Sequence, residues 1–264
     1  MNEVVFLGVG GGRYCMITQL RGTGGFRLHL NDLRLHIDPG PGALVKTREL
    51  KLKDLDAILA SHWHTDHIGD LPVMIEVMTE GGRKKRGVLI GNQSVVRGYK
   101  SFGPLSSYYL SLPKEVIELE QGKEIDLKGI KIQGTVARHQ EPKTIGFKFK
   151  TNTQIISYTS DTGFFDQLVE QHQDSDILIV NVGLPNRIRA KTYLCTEDAT
   201  EFIKRTNPKL AIITHFGMRM VRADPEKEAR RIQRDSGVKT IAATDGLRLN
   251  LEKIGEQETL KRFK

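Results

Sequence analysis

Phe26-Arg27-Leu28-His29-Leu30 and Leu33-Arg34-Leu35-His36-Ile37 alternate apolar and polar residues without a break, and only Asn31-Asp32 separates them. A strict period of two fits strands and not helices, and a two-residue connection folds the strands back on each other. The register follows. Leu30 opposes Leu33, Leu28 opposes Leu35 and Phe26 opposes Ile37, giving one apolar face. Arg27, His29, Arg34 and His36 share the other face and read as wet or packed strand residues, not ligands. A chain that opens this way is building a sheet.

The remainder keeps the same grammar, short apolar runs closed off by Gly, Pro, Asn and Asp. Asp56-Ala57-Ile58-Leu59-Ala60 reads as a buried strand running into Ser61-His62, and Val88-Leu89-Ile90 as another. Further strands are expected at 130–136, 145–149, 155–158, 177–180, 211–214 and 240–242. Helices are expected at 71–79, with Pro72 tolerated in the first turn, and at 164–172. Two more are expected at 197–205 behind Thr196 as N-cap and at 225–234 behind Asp224 as N-cap. Each half contributes several strands and then helices, with no linker-like or low-complexity stretch between them.

At 264 residues the chain exceeds the roughly 100–200 of a typical domain, yet large α/β and sandwich folds reach this size as one unit. Such a chain buries about 70–75% of its unfolded surface and needs no disulfides. Its two cysteines, Cys15 and Cys195, exclude a disulfide framework and a Cys-rich zinc module, and read as reduced thiols. The opening Met-Asn-Glu-Val-Val-Phe-Leu-Gly carries an acid where a signal peptide wants a base, and no apolar stretch approaches the ~20 residues of a membrane span. A cytoplasmic protein with no membrane partner is therefore expected, a homo-oligomer being left open. Lys and Arg number 40 against 32 Asp and Glu, a net charge of +8 that favours RNA, DNA or small phosphates. Basic stretches at 83–86, 187–191 and 261–264 read as solvated surface unless the fold brings them together.

The chemistry is concentrated in Ser61-His62-Trp63-His64-Thr65-Asp66-His67, directly after a buried strand. Imidazole and carboxylate are the nitrogen and oxygen ligands that zinc-type ions take at about 2.0–2.2 Å. One tight loop that carries several of them orders a metal site at little further cost. His139, Asp161 and His215 each fall just past the C-terminal end of an expected strand, where open α/β sheets gather functional groups. Trp63, inside the loop, reads as packed beneath it.

His62-x-His64-x-Asp66-His67, followed in order by His139, Asp161 and His215, resembles the metallo-β-lactamase-fold superfamily over essentially the whole chain. Asp38 in Ile37-Asp38-Pro39-Gly40 resembles the family's first motif, although alone it reads as an ordinary turn. The resemblance implies an α/β fold, a four-layer αββα sandwich of two similar halves, here one domain of residues 1–264 with halves at roughly 1–135 and 136–264. It also implies that His62, His64 and His139 bind one metal and that Asp66, His67 and His215 bind a second, with Asp161 bridging. Within the superfamily the sequence is most similar to ribonuclease Z and the cyclic phosphodiesterases of phosphonate breakdown. Two departures stand out. Ribonuclease Z has a His before a Thr where this chain has Cys195-Thr196, and the stretch from Asp70 to His139 is short for a tRNA-grasping arm, with 100–113 left to form a small flap.

The expected activity is hydrolysis of phosphodiester bonds in RNA or single-stranded DNA by a dinuclear centre. Two Zn2+ suit the all-nitrogen-and-oxygen donor set best, with Mn2+ or Fe2+ as alternatives. Asp66 and Asp161 are expected to orient the attacking hydroxide, and Arg219, four residues past His215, to face charge developing on phosphorus. The rival readings are a hydrolase of a small cyclic phosphate or nucleotide, and a metal-binding scaffold without turnover.

Overall fold

The protein is described by a computed structural model that covers residues 2–252 apart from 53, together with Ile254. The first elements are β1 (Glu3–Phe6), α1 (Gly12–Thr18), β2 (Phe26–Leu30), β3 (Leu33–Ile37), α2 (Ala43–Glu49) and β4 (Ala57–Ala60). They are followed by α3 (Thr65–Ile68), α4 (Leu71–Thr79), β5 (Val88–Gly91), α5 (Gln93–Val96), α6 (Ser107–Ser111) and β6 (Glu115–Glu118). Next come β7 (Glu124–Leu127), β8 (Ile130–Thr135), β9 (Gly146–Lys150), β10 (Ile155–Tyr158), α7 (Asp166–His172) and β11 (Ile177–Asn181). The chain closes with α8 (Thr196–Thr206), β12 (Leu210–Thr214), α9 (Met218–Arg222), α10 (Pro225–Ser236), β13 (Thr240–Ala242) and β14 (Arg248–Asn250).

These elements form two compact units. The first comprises the described parts of Met1–Val9, Gln19–Leu119 and Thr244–Lys264. Among the described residues its sheet has seven strands in the order β14-β1-β2-β3-β4-β5-β6. The hairpin takes the expected register, Leu30 with Leu33, Leu28 with Leu35 and Phe26 with Ile37. From β3 to β6 the strands are parallel, so Asp38 and Ser61 follow neighbouring strand ends on one edge. Leu71, Met74, Ile75 and Met78 of α4 pack with Ile58 and Leu89 of the sheet. The polar face of the hairpin is covered as well: Arg27 and His36 are 1% and 0% exposed, whereas Arg34 stays in water. The His36 ring bonds the Gly24 carbonyl through Nε2 at 2.8 Å. Burial, with Arg27 nearby, lowers its pKa to about 3 against the pull of that carbonyl, so the ring is neutral and Nε2 is the donor.

The second unit comprises Gly10–Thr18 and Glu120–Ala243. Its sheet, again of seven strands among the described residues, has the order β13-β12-β11-β10-β9-β8-β7. Here β10 to β13 run parallel, which brings Asp161, Asn181 and His215 to adjacent strand ends. The second unit takes in β7 because β7 pairs with β8 and β8 with β9, and the first takes in β14 because it returns to pair with β1.

Local chemistry explains where expected boundaries moved. Cys195, not Thr196, caps α8, through a reciprocal arrangement with Asp198, and Thr196 opens the helix with its hydroxyl donating to Glu228. Asp224 caps α10 as expected, its side chain accepting from the Glu226 and Lys227 amides. Helix α7 starts at Asp166 behind Phe165 instead of at Phe164. The edge strands β6 and β7 are four residues each and begin with an exposed acid, so their pattern is faint, and such charges keep an edge from pairing with strangers. Among the described residues no helix is long and apolar enough to cross a membrane. The basic stretch at 261–264 lies outside the described residues.

Candidate metal centre

In the first unit the centre is built from the ends of β3 and β4. Strand β4 is wholly buried, and the chain leaves it through Ser61-His62 into α3, a single turn that buries Asp66 and His67. Asp38 organises the loop. Its Oδ1 accepts the Ser61 amide at 2.7 Å, and its Oδ2 accepts both the Ser61 hydroxyl at 2.7 Å and His67 Nδ1 at 2.9 Å. Since Ser61 gives its proton to Asp38, its oxygen accepts from His62 Nδ1 at 3.0 Å. Both rings are thus held by Nδ1 and present Nε2 as the basic nitrogen. His62 Nε2 lies 3.1 Å from His64 Nδ1, and His67 Nε2 lies 3.7 Å from Asp66 Oδ2. Gly40 lets the Asp38 turn pass close beneath: a side chain there would run into the Asp66 carbonyl. Trp63 is half-buried against the unit's core and donates to the Gly103 carbonyl, and the Phe102 ring stands edge-on to His64 at 6.2 Å. The expected flap therefore lies on the metal loop.

In the second unit Asp161 is central. Its Oδ1 accepts from Asn181 Nδ2 at 2.8 Å and lies 3.2 Å from His215 Nδ1, and its Oδ2 lies 3.7 Å from His139 Nε2. Asn181 also donates to the Tyr158 hydroxyl, which fixes the amide that holds the carboxylate. His139 is anchored like His62 and His67, with Nδ1 on the Thr192 carbonyl at 3.1 Å and the Tyr193 ring edge-on at 5.1 Å. Asp38, Ser160 and His215 have φ of 52°, 56° and 59°. Such left-handed backbone costs non-glycine residues about 1–3 kcal/mol and persists where surroundings over-determine it. Each of the three stands at or beside a strand end that carries a site residue. Arg219 is exposed on α9.

Residues 33–216 match the family described as the beta-lactamase superfamily domain. The chain belongs to the β-lactamase superfamily. A protein of Methanocaldococcus jannaschii named only as uncharacterized is 41% identical over 94% of this chain and 95% of its own length. A ribonuclease Z of Clostridium novyi is 24% identical over 85% of this chain and 91% of its own. Among solved structures, a diphosphatase of the PhnP family shares the fold with TM-score 0.69 at 19% identity, over 95% of this chain and 98% of that one. The protein is a metal-dependent hydrolase of the metallo-β-lactamase fold.

The superfamily's metal dependence can be tested on these side chains. Candidate metal-binding groups among the described residues draw on His62, His64, Asp66, His67, His139, Asp161 and His215 and on no others. Three of the five imidazoles are anchored through Nδ1 by a carboxylate, a hydroxyl or a carbonyl, the arrangement that fixes tautomer and orientation in metal-binding histidines. Two nitrogens held by one tetrahedral zinc-type ion stand about 3.3 Å apart, close to the 3.1 Å between His62 Nε2 and His64 Nδ1. The donor set fits the ion.

Other polar residues sort away from the centre. His172 is fully buried beneath Phe202, and burial, with Lys148 nearby, lowers its pKa to about 3. Cys15 donates to the Phe216 carbonyl. Cys195, where ribonuclease Z is expected to carry a histidine, is a buried helix cap whose thiol burial pushes up to about 12. The segment around that departure still serves the centre, because Thr192 and Tyr193 hold His139. Asn181 was not anticipated. Its signal is a polar residue ending the apolar run Ile177–Asn181, level with Thr214 just before His215.

Proposed function

We propose that the chain hydrolyses phosphodiester bonds in RNA or single-stranded DNA with two metal ions. The observation that carries this reading is Asp161, whose two oxygens face different imidazoles, His139 and His215. A carboxylate so placed suits a ligand shared by two cations. His62, His64 and His139 would hold one cation, and Asp66, His67 and His215 the other, with Asp161 between them. When bound, two divalent cations supply a nucleophile near neutral pH and neutralise charge on the reacting phosphate. Asp66 and Asp161 orient the attacking oxygen. Asp38 and Asn181 hold His67 and Asp161 in place through their hydrogen bonds. Arg219, exposed on α9, meets negative charge on the phosphate. The net charge of +8 and the ribonuclease Z relatives support a polyanionic substrate.

A second reading, hydrolysis of a small cyclic phosphate or nucleotide, is favoured by the short connection between α4 and β8. Among the described residues it holds only β5, two short helices and the edge strands β6 and β7, one in each sheet, where a nucleic-acid-grasping arm would be expected. One comparison separates the two. Zinc-loaded protein is given a single-stranded oligoribonucleotide and, in parallel, a nucleoside 2′,3′-cyclic phosphate. Higher kcat/KM on the oligonucleotide, suppressed by added salt, supports the nuclease. Turnover of the cyclic phosphate alone moves the assignment to the small-molecule enzyme, and turnover of neither leaves a metal-binding scaffold.

A further inference from the structure

Helix α1 carries an exposed aromatic ring and begins where the backbone meets the segment that holds His215. The contact is made by backbone. The Gly11 amide donates to the Phe216 carbonyl at 3.1 Å, Gly10 bridges Phe216, and a side chain at Gly11 would run into the His215 imidazole. One turn on, buried Cys15 donates its thiol to the same Phe216 carbonyl, so both ends of the first turn are tied to the residue after His215. The exposed side of the helix carries Tyr14 at 73% and Ile17 at 68% exposure, neighbours at a spacing of three on one helical face. A helix rises about 1.5 Å per residue, so Tyr14 lies within roughly one turn of the His215 contact.

The charges carried by α1 and by the helix packed on it have one sign. Helix α9, which packs on α1, carries exposed Arg219 and Arg222, and α1 carries exposed Arg13. Neither helix contains an acidic residue. An exposed aromatic among arginines matches the two needs of a single strand, a face on which a base can stack and cations for its phosphates. We propose that Tyr14 is a stacking platform for a base of the substrate strand next to the scissile phosphodiester. The proposal rests on the nucleic-acid reading above and goes further by naming the residue that grips the strand.

The test uses the full-length, zinc-loaded protein as wild type, Tyr14→Ala, Tyr14→Leu and Tyr14→Trp, with Val77→Ala on α4 as a control for an exposed apolar side chain elsewhere. Steady-state kinetics are measured on a fluorescein-labelled single-stranded oligoribonucleotide and on bis(p-nitrophenyl) phosphate, which has no base. A base–aromatic contact corresponds to roughly a tenfold effect or more. Tyr14→Ala and Tyr14→Leu are expected to raise KM for the oligonucleotide about tenfold with kcat held, so that preference over bis(p-nitrophenyl) phosphate falls by the same factor. Tyr14→Trp is expected to restore it, and Val77→Ala to leave it in place. An unchanged oligonucleotide KM in Tyr14→Ala overturns the platform while the nuclease reading stands. Loss of a dimer on sedimentation, without a change in that KM, assigns the face to a second copy instead. A wild type that turns over only the small substrate overturns the nuclease reading and the platform with it.

Discussion

Asp38 Oδ2 accepts from His67 Nδ1 at 2.9 Å while both residues are almost fully buried, 3% and 2% exposed. The bond reaches from the end of β3 to a turn of helix that follows β4, so one carboxylate fixes a ring it does not share a loop with. The same Asp38 holds Ser61, and through Ser61 it holds His62. Asp38→Asn keeps the shape and tolerates the left-handed backbone but removes the charge. Removing an outer partner of this kind costs about 10–100-fold in metal affinity. Competition with a chromophoric chelator is expected to show a loss in that range with little change in Tm; an unchanged affinity would contradict the anchoring role.

Asp161→Ala removes a carboxylate that faces two imidazoles and accepts from Asn181. Its expected effect is loss of about one metal equivalent and of phosphodiester hydrolysis, with the fold kept. His172→Ala is expected to do the reverse. It leaves the metals in place but opens a cavity beneath Phe202 at a cost of about 2–4 kcal/mol, which chemical denaturation measures. Equal losses of metal in both variants would mean that general destabilisation, not ligation, explains the first.

Two buried histidines make stability depend on acid. His36 and His172 have folded pKa values of about 3, set mainly by burial, against an ordinary 6.5. Between these values the unfolded chain takes up protons that the folded chain refuses. Stability is therefore fully present above about pH 6.5 and falls as pH drops toward 3, by on the order of a few kcal/mol per ring. Replacing His172 by Leu is expected to flatten the decline in a urea-denaturation series between pH 7 and pH 5. A slope equal to that of the wild type would show that His172 does not titrate on unfolding in that window.

Cys195 caps α8 with its thiol held up to about 12, mainly by burial and further by Asp198 and Glu197. The thiolate is the reactive form, so at pH 8 this side chain is expected to resist iodoacetamide in the folded state and to react once urea unfolds the protein. Cys195→Ser supplies a better N-cap and is expected to leave hydrolysis and metal content in place. Rapid labelling of the folded protein at Cys195, read by mass spectrometry, would contradict the buried cap.

The residues that could be read in advance share one trait: their pattern is local. The hairpin register follows from strict alternation around Asn31-Asp32, and the helix at Leu71–Thr79 from Leu71-Pro72 as its first turn. The His62–His67 cluster is dense enough to announce a metal loop by itself. What escaped depends on contacts distant in sequence. Helix α1 follows a run of glycines and turns Tyr14 and Ile17 outward, so it lacks an apolar stripe; its anchor is Phe216. Asn181 earns its place only because β11 lies beside β10 and β12, which sets it against Asp161. Arg27 and His36 could be read only as wet or packed strand residues, and the covering of both sides of the sheet decides for packing.

A metal pair shared through Asp161 is the central expectation. Crystals of protein purified with zinc and measured at the zinc absorption edge would give an anomalous difference map. Two peaks about 3.5–4 Å apart are expected, with His62, His64 and His139 around one, Asp66, His67 and His215 around the other, and Asp161 touching both. A single peak, or peaks at His29, His36 or His172, would contradict it.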